Sequence, residues 1–397
     1  MGVMQCVRKI RLYGRATPRT MHPDTRPHPG VDTSCRVVRE PPYQMRQTCL
    51  VKEIALSVTS SLAARLKSSV DLKSRPSGIA FGLKLAVYAT LIVHGAMLAL
   101  SPHVVLKVLG VVLLGVMFAH GVELQHQALH YQGFRNKRFN IVSGVLLGLP
   151  MLVSFHAYQD SHLRHHRLLG TPDNKEFFDY GDQYGANPVV SVGRWLWRLS
   201  MAAHYLQFVK QIAKLFVPGA RFNDNPLVSR AIRRDYLLMA AAIAILAGVS
   251  IALHDAFVVW AWLVPLVFVA APVHALIEMP EHYRCDLTST DAFVNTRTIV
   301  SNAFMTWLTN GNNYHVEHHL MPNLPIERLH DLHGAIAPHI RHYHATYREF
   351  YRALLCGTLA PRVIDDMPDN AHGSAGSEAH DAPAADGAAA PAAAQSA

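Results

Sequence analysis

Disulfide and thiolate chemistry have little to work with in this chain. Its 397 residues include only five cysteines, Cys6, Cys35, Cys49, Cys285 and Cys356. Their number is odd and no CxxC occurs, so neither a disulfide scaffold nor a thiolate metal site is indicated. Charge is scarce as well, at 16% of residues. HExxH is absent, which excludes a zincin. No P-loop, zinc-finger or RNA-binding signature accompanies the net charge of +9, so no nucleic-acid partner is expected. No apolar run follows the first charges, and the N-terminus does not read as a secretory signal.

Apolar residues are abundant, at 50%, and they come in long blocks. Ile79–Leu100 holds one Lys and one His in 22 residues. At ~1.5 Å per residue such a helix crosses a hydrocarbon layer of ~30 Å. Ser101 and Pro102 interrupt it before a second block, 103–123. Two further blocks, 236–253 and 256–274, are separated at His254 and Asp255. The pattern predicts an all-α membrane protein with four transmembrane helices as two hairpins. Ile141–Phe155 is also apolar, but it is short and carries Pro150, so it reads as interfacial or re-entrant. Four spans leave both termini and the central segment on one side. That side carries nearly all Lys and Arg, including Arg135, Lys137 and Arg138, which marks it as cytoplasmic.

Outside the spans, residues 1–78 hold 14 of the 37 Lys and Arg residues. They read as a basic, loosely ordered cytoplasmic extension, with Leu50–Lys67 as a surface helix, although the composition also mimics a transit peptide. The segment Val190–Phe216 alternates Trp195, Trp197, Tyr205 and Phe208 with Arg194, Arg198, Lys210 and Lys214. It fits an interfacial helix or an ordinary packing helix. Residues 361–397 form an Ala/Pro-rich tail expected to be disordered, in which His372 and His380 are incidental.

Histidine is the anomaly: the chain has 25. Four clusters stand near the span ends: His126-x3-His130, His162-x2-His165-His166, His282, and His315-x2-His318-His319. On a helix, residues i, i+3 and i+4 share a face, so each cluster of two or three aims its imidazoles at one point. Neutral imidazole suits Zn, Cu, Fe and Ni. Nine histidines exceed one tetrahedral ion and fit two ions. Soluble di-iron bundles use paired Glu-x-x-His motifs, and only Glu123-x-x-His126 has that spacing. A mononuclear 2-His-1-carboxylate site leaves most of the histidines unused. His120, His156 and His274 lie near the clusters as orienting partners. His28, His94, His103, His254 and His342 read as incidental.

The run Asn312-Asn313-Tyr314-His315-Val316-Glu317-His318-His319-Leu320-Met321-Pro322, with Leu332-His333 after it, resembles the membrane fatty acid desaturase family, the histidine-box desaturases and hydroxylases. Asn295-Thr296-Arg297-Thr298 and Gly170-Thr171-Pro172 are similar to the family too. The resemblance covers roughly residues 79–334 and implies that residues 79–360 form one membrane desaturase domain. It implies a cytosolic helical cap holding a dimetal site with two iron ions (Fe2+), O2 as co-substrate, and His126, His130, His162, His165, His166, His282, His315, His318 and His319 as ligands. The first box has three intervening residues where a common family form has four, which leaves His120 or His126 to complete it. Glu278 stands where some members have Asn, and Glu278 or Glu281 reaches a metal through water or orients His282. Asn313 belongs to the same supporting set. Arg164 and Arg297, beside the ligands, either hold an anionic headgroup, CoA or carrier, or pair with carboxylates.

An unactivated methylene has no acidic proton, so side-chain acid–base chemistry cannot oxidise it and a metal must carry the step. The expected activity is therefore O2-dependent oxidation of an acyl chain, most simply fatty acid or acyl-lipid desaturation. Hydroxylation on the same scaffold is the alternative. His28-Pro29-Gly30 shares a short string with the cytochrome b5 haem motif but lacks the surrounding domain. A separate ferredoxin, flavoprotein or cytochrome b5 is expected to supply electrons. A membrane metal transporter would place ionisable groups inside the spans, whereas these clusters lie outside the apolar runs. A zinc-dependent hydroxylase or a pseudoenzyme differs in metal content and O2 dependence.

Overall fold

The computed structural model describes residues 76–180 and 191–360. All of them fall in one compact unit. Residues 1–75 of the basic extension, where a surface helix was expected, and the Ala/Pro-rich tail lie outside the described residues.

Helix α1, Gly78–Ala99, starts where the Ser77 side chain accepts the Ala80 N–H. Helix α2, Val104–Leu129, follows and packs along it. Gly110 permits the closest approach, because a Cβ there would lie 2.1 Å from the Ala99 nitrogen. The outward faces are apolar, with Leu83, Val93, Met97, Val105 and Leu109 exposed. Such faces are unfavourable in water and at home in hydrocarbon. α2 continues beyond its apolar block because the polar residues of its last turns are bonded internally. Gln125 Nε2, for example, donates to the Gly144 and Val153 carbonyls.

The apolar segment after α2 forms only a twelve-residue helix, α3, Lys137–Gly148. The chain then turns into α4, Phe155–Leu168, capped by Ser154. The expected interfacial or packing helix is two helices, α5 Val192–Leu199 and α6 Ala202–Lys214. The break falls at Met201, whose φ of 49° is left-handed, after Ser200 Oγ donates back to the Leu196 carbonyl.

Helix α7, Pro226–Ala252, begins ten residues before its apolar block, with Asn225 as cap and Pro226 in the first turn. Proline suits that position because its missing N–H has no partner there anyway. The fourth apolar segment spans Val259–Glu281. It contains two π-helical turns, Val259–Leu263 and Leu266–Ala270, and ends as α8, Ala271–Glu278. Pro265, lacking an N–H, lies between the turns where the i→i−4 ladder breaks. This segment packs mainly on α2 rather than on α7. A cavity of about 260 Å³, lined by Leu114, Phe118, Met239, Ile243, Ala261 and Trp262, lies among these helices.

The remainder is a set of short elements: α9 Ala292–Asn295, β1 Thr298–Ile299, α10 Ala303–Leu308, α11 His315–Leu320, α12 Leu329–Ile336, β2 Tyr343–His344 and α13 Tyr347–Leu355. β1 and β2 pair in parallel, Thr298 opposite Tyr343, a small departure from an all-α reading. Val316, Leu324, Leu329, Leu332, Ile336 and Ile340 form the core of this region. Polar contacts join it and α4 to all four long helices. Lys84 of α1 donates to Asn310 and Glu327 at 2.6 and 2.7 Å. Asn310 donates to Gln127 of α2 at 3.0 Å. Asp235 of α7 accepts from Ser154 Oγ at 2.7 Å and from the His156 backbone at 3.0 Å. Glu281, at the end of the fourth segment, accepts from Asn312 at 2.7 Å.

Candidate metal centre

The last turn of α2 carries His126, and His130 caps its C-terminus four residues on. α4 carries His162, His165 and His166, and α11 carries His315, His318 and His319. His282 follows a single 3-10 turn, Met279–Glu281, at the end of the fourth segment. These four stretches converge. His126, His130, His162, His166 and His318 form one donor group, and His165, His282 and His319 form a second. Glu281, His282 and His315 form a third group that shares His282 with the second.

The contacts between rings are informative. His162 Nε2 lies 2.8 Å from His126 Nε2 and 2.9 Å from His166 Nε2. A neutral imidazole nitrogen has either one N–H or one lone pair. His162 Nε2 can therefore complete a hydrogen bond to only one of the two neighbours, and the other close contact is left unmade. His282 Nε2 stands the same way between His165 Nε2 at 3.1 Å and His315 Nε2 at 3.2 Å. Nearby, His130 Nε2, both ring nitrogens of His318, and His319 Nε2 are buried without a hydrogen-bond partner. Buried polar atoms left unpaired are costly. A cation resolves both problems, since two nitrogens bound cis to one ion at roughly 2.1 Å lie about 3 Å apart. The donor groups therefore fit metal binding.

The protonation state fits too. Burial holds His130 down to about 3 and His282 to about 4. Burial, with neighbouring imidazoles second, holds His162, His166, His315, His318 and His319 well below the usual histidine range. These rings stay neutral at pH 7 and keep lone pairs. Several are oriented from behind, as metal-binding histidines are. His165 Nδ1 pairs with Asn174 Oδ1 at 3.0 Å, His282 Nδ1 donates to the Asn295 carbonyl at 3.0 Å, and His315 Nδ1 pairs with Asn312 Oδ1 at 3.1 Å. Glu317, fully buried between the ligands of α11, accepts from Thr298 Oγ1 at 2.6 Å and pairs with His333 at 2.5 Å.

The sequence-based supporting residues are placed unevenly. His120 is outside the donor groups: it stacks on Trp307 at 4.6 Å and pairs with the Leu308 carbonyl at 2.9 Å. His156 pairs with Asp235 at 3.0 Å, and His274 packs on Phe178. Arg297 has neither headgroup access nor a carboxylate partner in these contacts. It is buried, donates to the Pro280 and Tyr283 carbonyls at 2.5 and 2.8 Å, and lies over the Phe350 ring. Arg164 is part-exposed and pairs with Asp160 at 3.5 Å. Asn313 donates to the Ile299 and Val300 carbonyls, fixing the approach to α11. Glu278 lies 3.6 Å from Arg198, and Glu281 Oε2 lies 3.2 Å from His315 Nε2.

Three contributors escaped sequence reasoning. Asn174 and Glu176 follow the second box on an irregular loop, and a Glu176 oxygen lies 4.0 Å from His165 Nε2. Arg198, in the segment expected to form an interfacial or an ordinary packing helix, is fully buried. The only sequence signal for the loop pair was proximity to the second box, and Arg198 had none.

Comparison with known proteins agrees with this geometry. A sequence profile described as fatty acid desaturase matches residues 102–351. The chain is also 29% identical over 236 residues to a dihydrorhizobitoxine desaturase from Bradyrhizobium elkanii. That stretch covers 56% of this chain and 65% of the relative, just under two thirds of its length.

Proposed function

The chain belongs to the fatty acid desaturase family, and on that footing we propose that it is an integral-membrane di-iron oxidoreductase that desaturates an acyl chain with O2. The single observation that carries this reading is the convergence of nine histidines, from four stretches of chain, into adjoining donor groups. When bound, two Fe2+ ions would supply the O2 activation that removes hydrogen from an unactivated methylene.

The protein's own part is placement and exclusion. α2, α4 and α11 present neutral imidazoles. Asn174, Asn312 and the Asn295 carbonyl fix three of the rings. Burial of the ligands keeps bulk water from the reacting carbon. The cavity of about 260 Å³ among the long helices suits an alkyl chain entering from the bilayer. A second cavity, of about 410 Å³, borders Arg164, Lys175 and Glu176 beside the centre and suits the polar end of a substrate. An external ferredoxin, flavoprotein or cytochrome b5 would supply electrons. The charge bias supports a cytoplasmic position for the termini and the metal centre. The relative's name specifies desaturation, which supports loss of two hydrogens over insertion of oxygen.

Lipid profiling after expression in a host without the activity tests the assignment. Wild type should yield acyl chains two mass units lighter, and His318→Ala should not. A gain of sixteen mass units would replace desaturation with hydroxylation. Identical profiles from both proteins would refute an acyl substrate.

A further inference from the structure

The residue just before His282 carries a carboxylate into the third donor group, which shares His282 with the second. Glu281 Oε2 lies 3.2 Å from His315 Nε2, which lies 3.2 Å from His282 Nε2. The hydrogen bonds behind these atoms fix what they present. Asn312 Nδ2 donates to Glu281 Oε1 at 2.7 Å, so the Asn312 oxygen is left to accept from His315 Nδ1 at 3.1 Å. His315 therefore carries its proton on Nδ1 and shows a lone pair at Nε2. His282 does the same, because its Nδ1 donates to the Asn295 carbonyl at 3.0 Å. Three electron-rich atoms thus face one another at separations expected of cis ligands on one ion.

The backbone around Glu281 is held as firmly as the ligands. Arg297 N donates to the Glu281 carbonyl at 2.8 Å. Arg297 Nη1 donates to the Pro280 and Tyr283 carbonyls on either side. Nothing in this arrangement is duplicated in the five-histidine group, which contains no carboxylate.

Resting on the two-metal reading above, we infer that the two centres differ in donor chemistry: Glu281 is a direct oxygen ligand of the second ion, positioned by Asn312. The first ion is bound by nitrogen alone. The carboxylate lowers the net charge of the second centre and makes it the harder, more oxygen-seeking of the two.

The test is anaerobic titration of the full-length, detergent-purified, metal-free protein with Fe(II), read by bound-iron stoichiometry and by Mössbauer spectroscopy with 57Fe. Wild type should hold two irons in two distinct environments. Glu281→Gln keeps the acceptor for Asn312 but loses the anionic donor. It should bind the first iron normally and the second about ten-fold or more weakly, with only the second spectral component altered. Glu281→His supplies a nitrogen donor in its place and should recover second-site binding with a changed spectrum, which a merely structural role would not produce. Metal-free melting curves identify variants that fail to fold, and either variant alone decides the matter. Two irons with wild-type affinity and spectra in a folded variant overturn the inference. Fewer than two irons in wild type sink the two-metal reading itself, and the inference with it.

Discussion

Replacing Arg198 with methionine should destabilise the metal-free protein by about 3–5 kcal/mol, the range for breaking one side of a buried ion pair. Arg198 is fully buried, and its guanidinium lies 3.6 Å from Glu278 Oε2. It also contacts the Ala275 carbonyl at 3.5 Å and covers the Tyr180 ring at 4.6 Å. The penalty arises chiefly because the Glu278 carboxylate, only 8% exposed, loses the charge of Arg198. That origin makes a sharper expectation for the double variant Arg198→Met, Glu278→Leu. With both charges gone and similar volume retained, it should be more stable than either single variant and within about 1–2 kcal/mol of wild type. Equilibrium unfolding in detergent micelles, without metal, measures all four proteins. Metal is omitted because Glu278 lies one turn before His282. If the double variant is no more stable than the worse single variant, the pair is not coupled and the reasoning fails.

Two further expectations concern acid and the loop after the second box. Burial lowers His204 to about 4, against about 6.5 in an unfolded chain. Its folded-state value is depressed, so its contribution is intact above pH ~6.5 and is lost as pH falls toward 4, because only the unfolded state binds the proton. At pH 5 the loss is about 2 kcal/mol, and His204→Phe should show a correspondingly smaller drop between pH 7 and pH 5 in denaturant titrations. Equal drops in the two proteins would refute this. Gly170 has φ +85°, and a Cβ there would lie 2.0 Å from the Ser289 carbonyl oxygen. Gly170→Ala should cost about 2–4 kcal/mol from left-handed strain and overlap, seen as a lowered melting temperature. A change below about 0.5 kcal/mol would count against it.

What the sequence determined by itself was whatever depends on local periodicity. Four apolar blocks of membrane length and three histidine groups at i, i+3, i+4 spacing follow from one-dimensional order, because a helix turns spacing directly into a shared face. The nine histidines proposed as ligands were named on that basis together with the family resemblance. Helix ends were less legible. α2 runs on through Gln125 and His126, and α7 begins at Pro226, because internal hydrogen bonds and caps extend a helix past the point where hydropathy falls.

The pairing of residues distant in sequence was decided only by the tertiary structure. Arg198 lay in a segment that fitted an interfacial or a packing helix alike, and a left-handed break at Met201 and the end of the fourth segment bury it against Glu278, eighty residues away. Arg297, beside the ligands, serves backbone carbonyls rather than a headgroup. The resemblance left open whether His126, the expected ligand, or His120 completes the first box, and rotation about α2 sends His120 to Trp307 and His126 to His162. Which histidines gather in one donor group, and that Glu281 lies with His282 and His315, depends on where separate segments meet in space. A carboxylate or guanidinium takes its role from the partner that folding brings within about 3 Å, and no pattern along the chain encodes that distance.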